Sequence, residues 1–141
     1  MDYQTPVLPS VEGGFLVPAE CAHFDAADWR LLAQLVYAEA RGEPFWGQVA
    51  VAAVVLNRLA HPDFPATIRE IIFQPSQFQV VANKTIHNTP DNLAYLAVRE
   101  ALEGVDPTEG ALFFWNPAKV PPTSWVWSRT IKQRIANHVF A

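Results

Sequence analysis

The sequence predicts a helix-dominated α+β domain, and three observations predict it. Apolar side chains recur at helical spacing between Trp29 and Glu39, an unbroken run of Val, Ala and Leu fills the middle of Trp46 to Leu59, and the last third turns to short aromatic, strand-like runs. A chain of 141 residues, 50% hydrophobic and 17% charged, has the size of one domain with a substantial core.

Residues 1–24 mix Pro6, Pro9, Pro18, Gly13 and Gly14 with scattered apolar side chains and read as an irregular arm, leaving a folded unit over 25–141. Asp25 caps a first helix over Ala26 to Arg41, with Asp28 at its third position, and Gly42 and Pro44 stop it. Trp46 to Leu59 predicts a second helix, apolar all round and therefore wrapped by the rest of the domain. Thr67 and Glu70 form a capping box that opens a short helix through Phe73, ended by Pro75. Gln74 to Asn88 reads as an irregular loop. Thr89 as cap and Pro90 at the first position start a further helix, whose stripe is Leu93, Ala94, Ala97, Val98 and Ala101 and whose end is Gly104. Asp106 to Gly110 is a turn, and the ALFFW, SWVW and HVFA runs predict a small antiparallel sheet beside the helices.

Several function classes are excluded at this level. A net charge of −4 offers no broad basic surface for a phosphate backbone, so no nucleic-acid partner is expected. Cys21 is the only cysteine, and the four histidines show no HxxxH spacing, so neither a disulfide nor a metal site nor any cofactor is expected. No apolar run reaches 18 residues, and Met1 to Glu20 lacks the basic start and apolar core of a secretory signal. Neither a membrane span nor an export address is therefore expected, and work outside a cytoplasm would need a trimmed signal or release by lysis.

The stretch LVYAEARGEP, Leu35 to Pro44, carries the chemistry. Glu39 shares a helical face with Leu32, Leu35 and Val36, so it should be at least partly buried. Burial and the negative end of the helix dipole both disfavour its ionised form, which makes a proton donor. An ion pair with Arg41 or Arg58 fits the same position. Glu43, beyond the glycine, reads as solvated on spacing alone. Trp46, Trp115, Trp125, Trp127, Phe78, Phe113 and Phe114, with amides at Gln77, Asn83, Asn88 and Asn116, suit sugar rings, while core packing accounts for part of the aromatics.

From Leu32 onward the chain resembles the catalytic domain of spore cortex-lytic enzymes and related cell wall hydrolases, the SleB type. The resemblance is carried by LVYAEARGEP, GQVAVAAVVLNR (Gly47 to Arg58), Phe64-Pro65, QPSQF (Gln74 to Phe78), the helix ending at Gly104, and HVF (His138 to Phe140). It implies a two-lobed relative of the lysozyme-like lytic transglycosylases, acting on the glycan strands of peptidoglycan; a monomer is expected. It also implies cleavage of the MurNAc–GlcNAc bond without water, Glu39 serving as general acid and then as base toward the muramic C6 hydroxyl, to give a 1,6-anhydro end. Hydrolysis would instead need a second carboxylate, at roughly 5–5.5 Å for retention or 6.5–9.5 Å for inversion. Glu43 is the nearest candidate in sequence and is read as a substrate-orienting residue. Position in the matching motifs assigns Gln77 and Phe78 to sugar contact and Asn57 and Arg58 to pinning loops. Trp115, Asn116 and Trp125 are expected to line the groove from the sheet side.

Alternatives stay open at this level: a muramidase that uses water, a non-catalytic glycan-binding module, and a partner-binding domain with an exposed aromatic patch. No wall-binding domain or export signal like that of the spore enzymes is read in this sequence. Spore germination, general wall remodelling and phage lysis are all admissible settings.

Overall fold

The structure is a computed structural model that describes residues 24–141. The expected N-terminal arm, Phe24 apart, and Cys21 lie outside the described residues.

Helix α1 (Ala26–Ala40) starts on a closed capping box. The Asp25 carboxylate accepts from the Asp28 N–H at 2.9 Å, and the Asp28 carboxylate accepts from the Asp25 N–H at 3.1 Å. The box satisfies two amides that the first turn would otherwise leave open, an effect worth about 1 kcal/mol. At its other end the chain turns through Gly42, at φ +84°, and enters α2 (Phe45–Leu59) after Pro44. Every residue of α2 from Gly47 to Val55 is buried. Alanines at 50, 52 and 53 keep its surface low, so that α1, α3 (Ile68–Ile72) and α5 (Asn92–Leu102) pack directly upon it. The expected wrapped helix is therefore the centre of the core.

Three local expectations are corrected. The segment 74–88 is not wholly irregular: it holds the single-turn helix α4 (Gln79–Ala82) and a 3₁₀ turn over Thr85–His87, both too short to show a period. The cap of α5 is Asp91, whose carboxylate accepts from the Ala94 N–H at 2.9 Å, so Thr89 and Pro90 lie before the helix. An ionised carboxylate suits the positive end of a helix better than a hydroxyl does. SWVW is a 3₁₀ turn, Trp125–Ser128, capped by the Ser124 hydroxyl, and not a strand.

The expected small antiparallel sheet is present, with its third strand drawn from elsewhere. Strands β1 (Phe114–Trp115), β2 (Gln133–Ile135) and β3 (His138–Phe140) lie in the order β1-β3-β2. Phe114 faces Phe140 and Trp115 faces Val139 on one side of β3, and Ile135 faces His138 on the other. β2 reads Gln-Arg-Ile, without the β-branched and aromatic enrichment that marks a strand, so pairing to β3 makes it a strand where propensity does not. Loops are pinned to α2 by side chains: the Asn57 amide donates to Asp106 and to the Ala111 carbonyl, both at 3.0 Å. Burial alone would raise the pKa of Asp106, but hydrogen bonds from Thr108, Asn57 and the Gly110 amide outweigh it and hold the carboxyl below its ordinary value.

Gly42 has open space where a Cβ would stand, so only its left-handed backbone requires glycine. Gly42→Ala is expected to cost about 1 kcal/mol. Urea denaturation should show this as a lower midpoint at unchanged m-value.

Candidate active site

One cavity of about 780 Å³ runs between the end of α1, the 77–88 segment and the sheet. Its walls bring together Glu39, Glu43, Gln77, Phe78, Trp115 and Asn116, residues that lie up to 77 positions apart in sequence. Trp125 is not among them: it is 60% exposed, with its ring edge-on to Phe113 at 5.4 Å. The 3₁₀ turn points it outward, where its expected place at a strand end on the sheet side had suggested the groove.

Glu39 follows Leu32, Leu35 and Val36, all fully buried, along the inner face of α1, and reaches the cavity wall in the last turn. Desolvation pushes its pKa up to about 7, and the positive charge of Lys119 opposes that only in part. Neither arginine that the sequence offered pairs with it. The Arg41 guanidinium lies over the Tyr37 ring at 5.5 Å. Arg58 donates to the Leu112 carbonyl at 2.7 Å and to Gln77 Oε1 at 3.2 Å, and sits 5.0–5.2 Å from the rings of Phe64, Phe78 and Phe113. Near neutral pH the Glu39 carboxyl therefore exists in both forms, the requirement for a group that gives and retakes a proton.

Glu43 is not solvated, contrary to its spacing. The Gly42 turn folds it back, its amide donating to the Ala40 carbonyl at 3.0 Å. Its side chain is only 10% exposed, and its carboxylate stands 3.4 Å from Nδ1 of His138, itself 8% exposed. Gly47 packs beside this pair: a Cβ there would stand at ordinary contact distance, 3.4 Å from the Ile135 side chain and 3.6 Å from Glu43 Cβ. Burial lowers the His138 pKa, Glu43 raises it and Lys119 lowers it, leaving it below the ordinary value and the imidazole neutral at pH 7. The nearby carboxylate favours the proton on Nδ1, which leaves Nε2 as an acceptor.

The remaining wall is aromatic and amide. Phe78 is buried and stacked on Phe114 at 5.9 Å, and Arg58 fixes the oxygen of Gln77, so the Gln77 amide nitrogen is left as a donor. Asn116 caps the turn after β1 through the Ala118 N–H at 2.9 Å. The Trp115 indole N–H is buried and has no hydrogen-bond partner among the described residues. Lys119, Thr85, Asn137 and His138 line the cavity without having been singled out for it. Strand alternation carried a signal for His138, since it must share a face with Phe140 and oppose Val139. Lys119, in a short 3₁₀ turn, had none. Among the described residues no three His, Cys, Asp or Glu side chains cluster as a metal site, and no helix is long and apolar enough to cross a membrane.

Comparison with known proteins fits this geometry. The cell wall hydrolase family profile matches residues 42–141. The chain belongs to the cell wall hydrolase family. Among its curated relatives, the spore cortex-lytic enzyme of Halalkalibacterium halodurans is 49% identical over 119 residues, 84% of this chain and 36% of that protein. The spore cortex-lytic enzyme of Bacillus subtilis is 48% identical over 117 residues, 83% of this chain and 38% of the relative. The chain thus spans somewhat over a third of these relatives. A match of that length in a 141-residue chain necessarily includes Glu39. The crystal structure of the catalytic domain of the Bacillus cereus SleB protein superposes with a TM-score of 0.77 at 44% identity, over 83% of this chain and 91% of that one. The catalytic domain of the germination-specific lytic transglycosylase SleB from Bacillus anthracis gives 0.78 at 42%, over 84% and 97%. The helix-dominated, lysozyme-like fold expected from the sequence is thereby borne out, as is the family resemblance.

The raised Glu39 pKa has a consequence for the stability of this cell wall hydrolase domain. The folded state holds the Glu39 proton more tightly than the unfolded chain, so the associated stability is present below the ordinary glutamate pKa and lost as pH rises through about 7. Glu39→Gln cannot ionise. Calorimetry is expected to show its melting temperature level with wild type at pH 4 and several degrees above it at pH 8.

Proposed function

We propose that residues 25–141 form a monomeric lytic transglycosylase unit that cleaves the MurNAc–GlcNAc bond of peptidoglycan and so acts on the cell wall, outside the cytoplasm. The observation that carries this reading is the asymmetry of the two carboxylates. Glu39 faces the groove with a pKa of about 7 and no ion-pair partner among the described residues, whereas Glu43 is engaged by His138. One titrating carboxylate suffices when the substrate supplies its own nucleophile. Protonated Glu39 gives its proton to the glycosidic oxygen as the bond from C1 breaks. The muramic C6 hydroxyl then closes on C1 and returns its proton to the Glu39 carboxylate, so acid and base are one residue and no water is consumed.

The other walls serve binding. Gln77 and Asn116 offer amide groups to hydroxyls and acetamido groups, Phe78 and Trp115 shape an aromatic floor, and Glu43 acts with His138 to orient the sugar. The names of the relatives, spore cortex-lytic enzymes and a germination-specific lytic transglycosylase, support spore cortex peptidoglycan as the substrate class. A second reading, hydrolysis, is favoured by the presence of Glu43 on the same cavity as Glu39. A binding module without turnover is disfavoured, because a desolvated glutamate destabilises a fold that has no use for its proton.

Mass spectrometry of fragments released from purified cortex and vegetative walls separates these readings. Wild type is expected to release anhydro ends, lighter by one water than reducing ends. Glu39→Gln should lose at least about a hundredfold in turnover while keeping its fold and glycan affinity. Reducing ends would favour the hydrolase, and equal activity of the two proteins would remove Glu39 from the mechanism.

A further inference from the structure

The exposed large hydrophobic side chains among the described residues are Trp125, Trp127 and Ile131, all within seven positions. The surrounding chain is basic: beyond Glu109 there are Lys119, Arg129, Lys132 and Arg134 but neither Asp nor Glu, in a protein of net charge −4. None of these four cations has a carboxylate within ion-pair distance among the described residues.

The segment is held in place. Trp125 packs edge-on against Phe113 at 5.4 Å, and the Arg129 guanidinium lies 4.1 Å over the same ring. Phe113 also meets the buried Arg58 at 5.0 Å, so two cations share one ring with no acid to neutralise them. Trp127 donates its indole N–H to the Pro121 carbonyl at 3.1 Å and packs edge-on against Trp115 at 5.8 Å. Trp115 lines the groove, as do Lys119 and Val120, so the exposed aromatics continue from the groove wall onto the outer surface.

We propose that Trp125, Trp127 and Arg129 form an outer ridge that binds a further stretch of the same glycan strand, beyond the cleavage groove. The indole faces stack on sugar rings, and the unpaired cations meet the carboxylates of the strand's lactyl and peptide substituents. Charge complementarity selects a polyanion, and continuity with the groove through the Trp115–Trp127 contact selects the strand already bound there over a membrane surface. The ridge rests on the peptidoglycan reading above. It gives Trp125 a sugar-binding role outside the cavity.

The test is sedimentation with purified peptidoglycan sacculi freed of teichoic acid, in the Glu39→Gln background so that the polymer stays intact. Adding Trp125→Ala and Arg129→Gln is expected to weaken binding at least about tenfold, with raised salt weakening the parent. Lys132→Glu, which removes no ring, should weaken binding to a smaller extent and guards against a packing artefact; melting temperatures report whether each variant is folded. A parent that binds as tightly as both folded variants overturns the ridge alone. A parent that does not sediment with sacculi overturns the ridge together with the peptidoglycan reading. Ridge-dependent binding to vesicles of equal phosphatidylglycerol and phosphatidylcholine, with sacculus binding unchanged, overturns it in favour of a membrane surface.

Discussion

A buried arginine without a carboxylate partner holds the working parts of this domain together. Arg58 leaves the core helix α2 at 3% exposure, where an isolated charge costs several kcal/mol of desolvation. Two oxygens and three aromatic rings offset that cost. Hydrogen bonds to a charged group contribute about 1.5–3 kcal/mol each, and a desolvated cation–π contact about 2. Desolvation first, and Arg129 second, depress its pKa to about 10, which still leaves it charged at neutral pH. The two oxygens belong to Gln77 and Leu112, on segments far apart in sequence. One side chain thus fixes the loop that carries Gln77 and Phe78 against the segment that leads into β1. Lysine has neither the fork nor the flat face for this arrangement.

The groove distributes charge unevenly, and its chemistry follows from that. Two glutamates four residues apart reach the same cavity, yet their surroundings differ. Glu39 sits at the negative end of α1 among fully buried aliphatic side chains, which favours its neutral form. Glu43 meets an imidazole. Lys119 acts on both sides of the cavity, lowering the Glu39 pKa and adding to the depression of His138.

Much of this was legible in the chain because it rests on local periodicity. The spacing of Leu32, Leu35, Val36 and Glu39 placed the glutamate on the inner face of α1, and its burial follows from that placement. The capping box at Asp25 and Asp28 and the all-apolar α2 needed no tertiary knowledge, since each depends on contacts within a turn or two. Short elements were less readable. Gln79–Ala82 and Trp125–Ser128 are too brief for a period to appear, and Gln133–Ile135 is a strand only because β3 supplies its partners.

What the sequence by itself determined, then, is helices α1, α2, α3 and α5, the family, and a buried Glu39 on the inner face of α1, because each rests on short motifs whose side chains lie within a few residues of one another. Tertiary structure alone decided that Glu43 is buried against His138, 95 positions away, because the Gly42 turn folds it back and β3 brings the imidazole to it. It also decided that Trp115 faces the groove while Trp125 faces outward. A pleated strand and a 3₁₀ turn aim similar indoles in different directions, and that choice is made by pairing and packing, which no local spacing encodes.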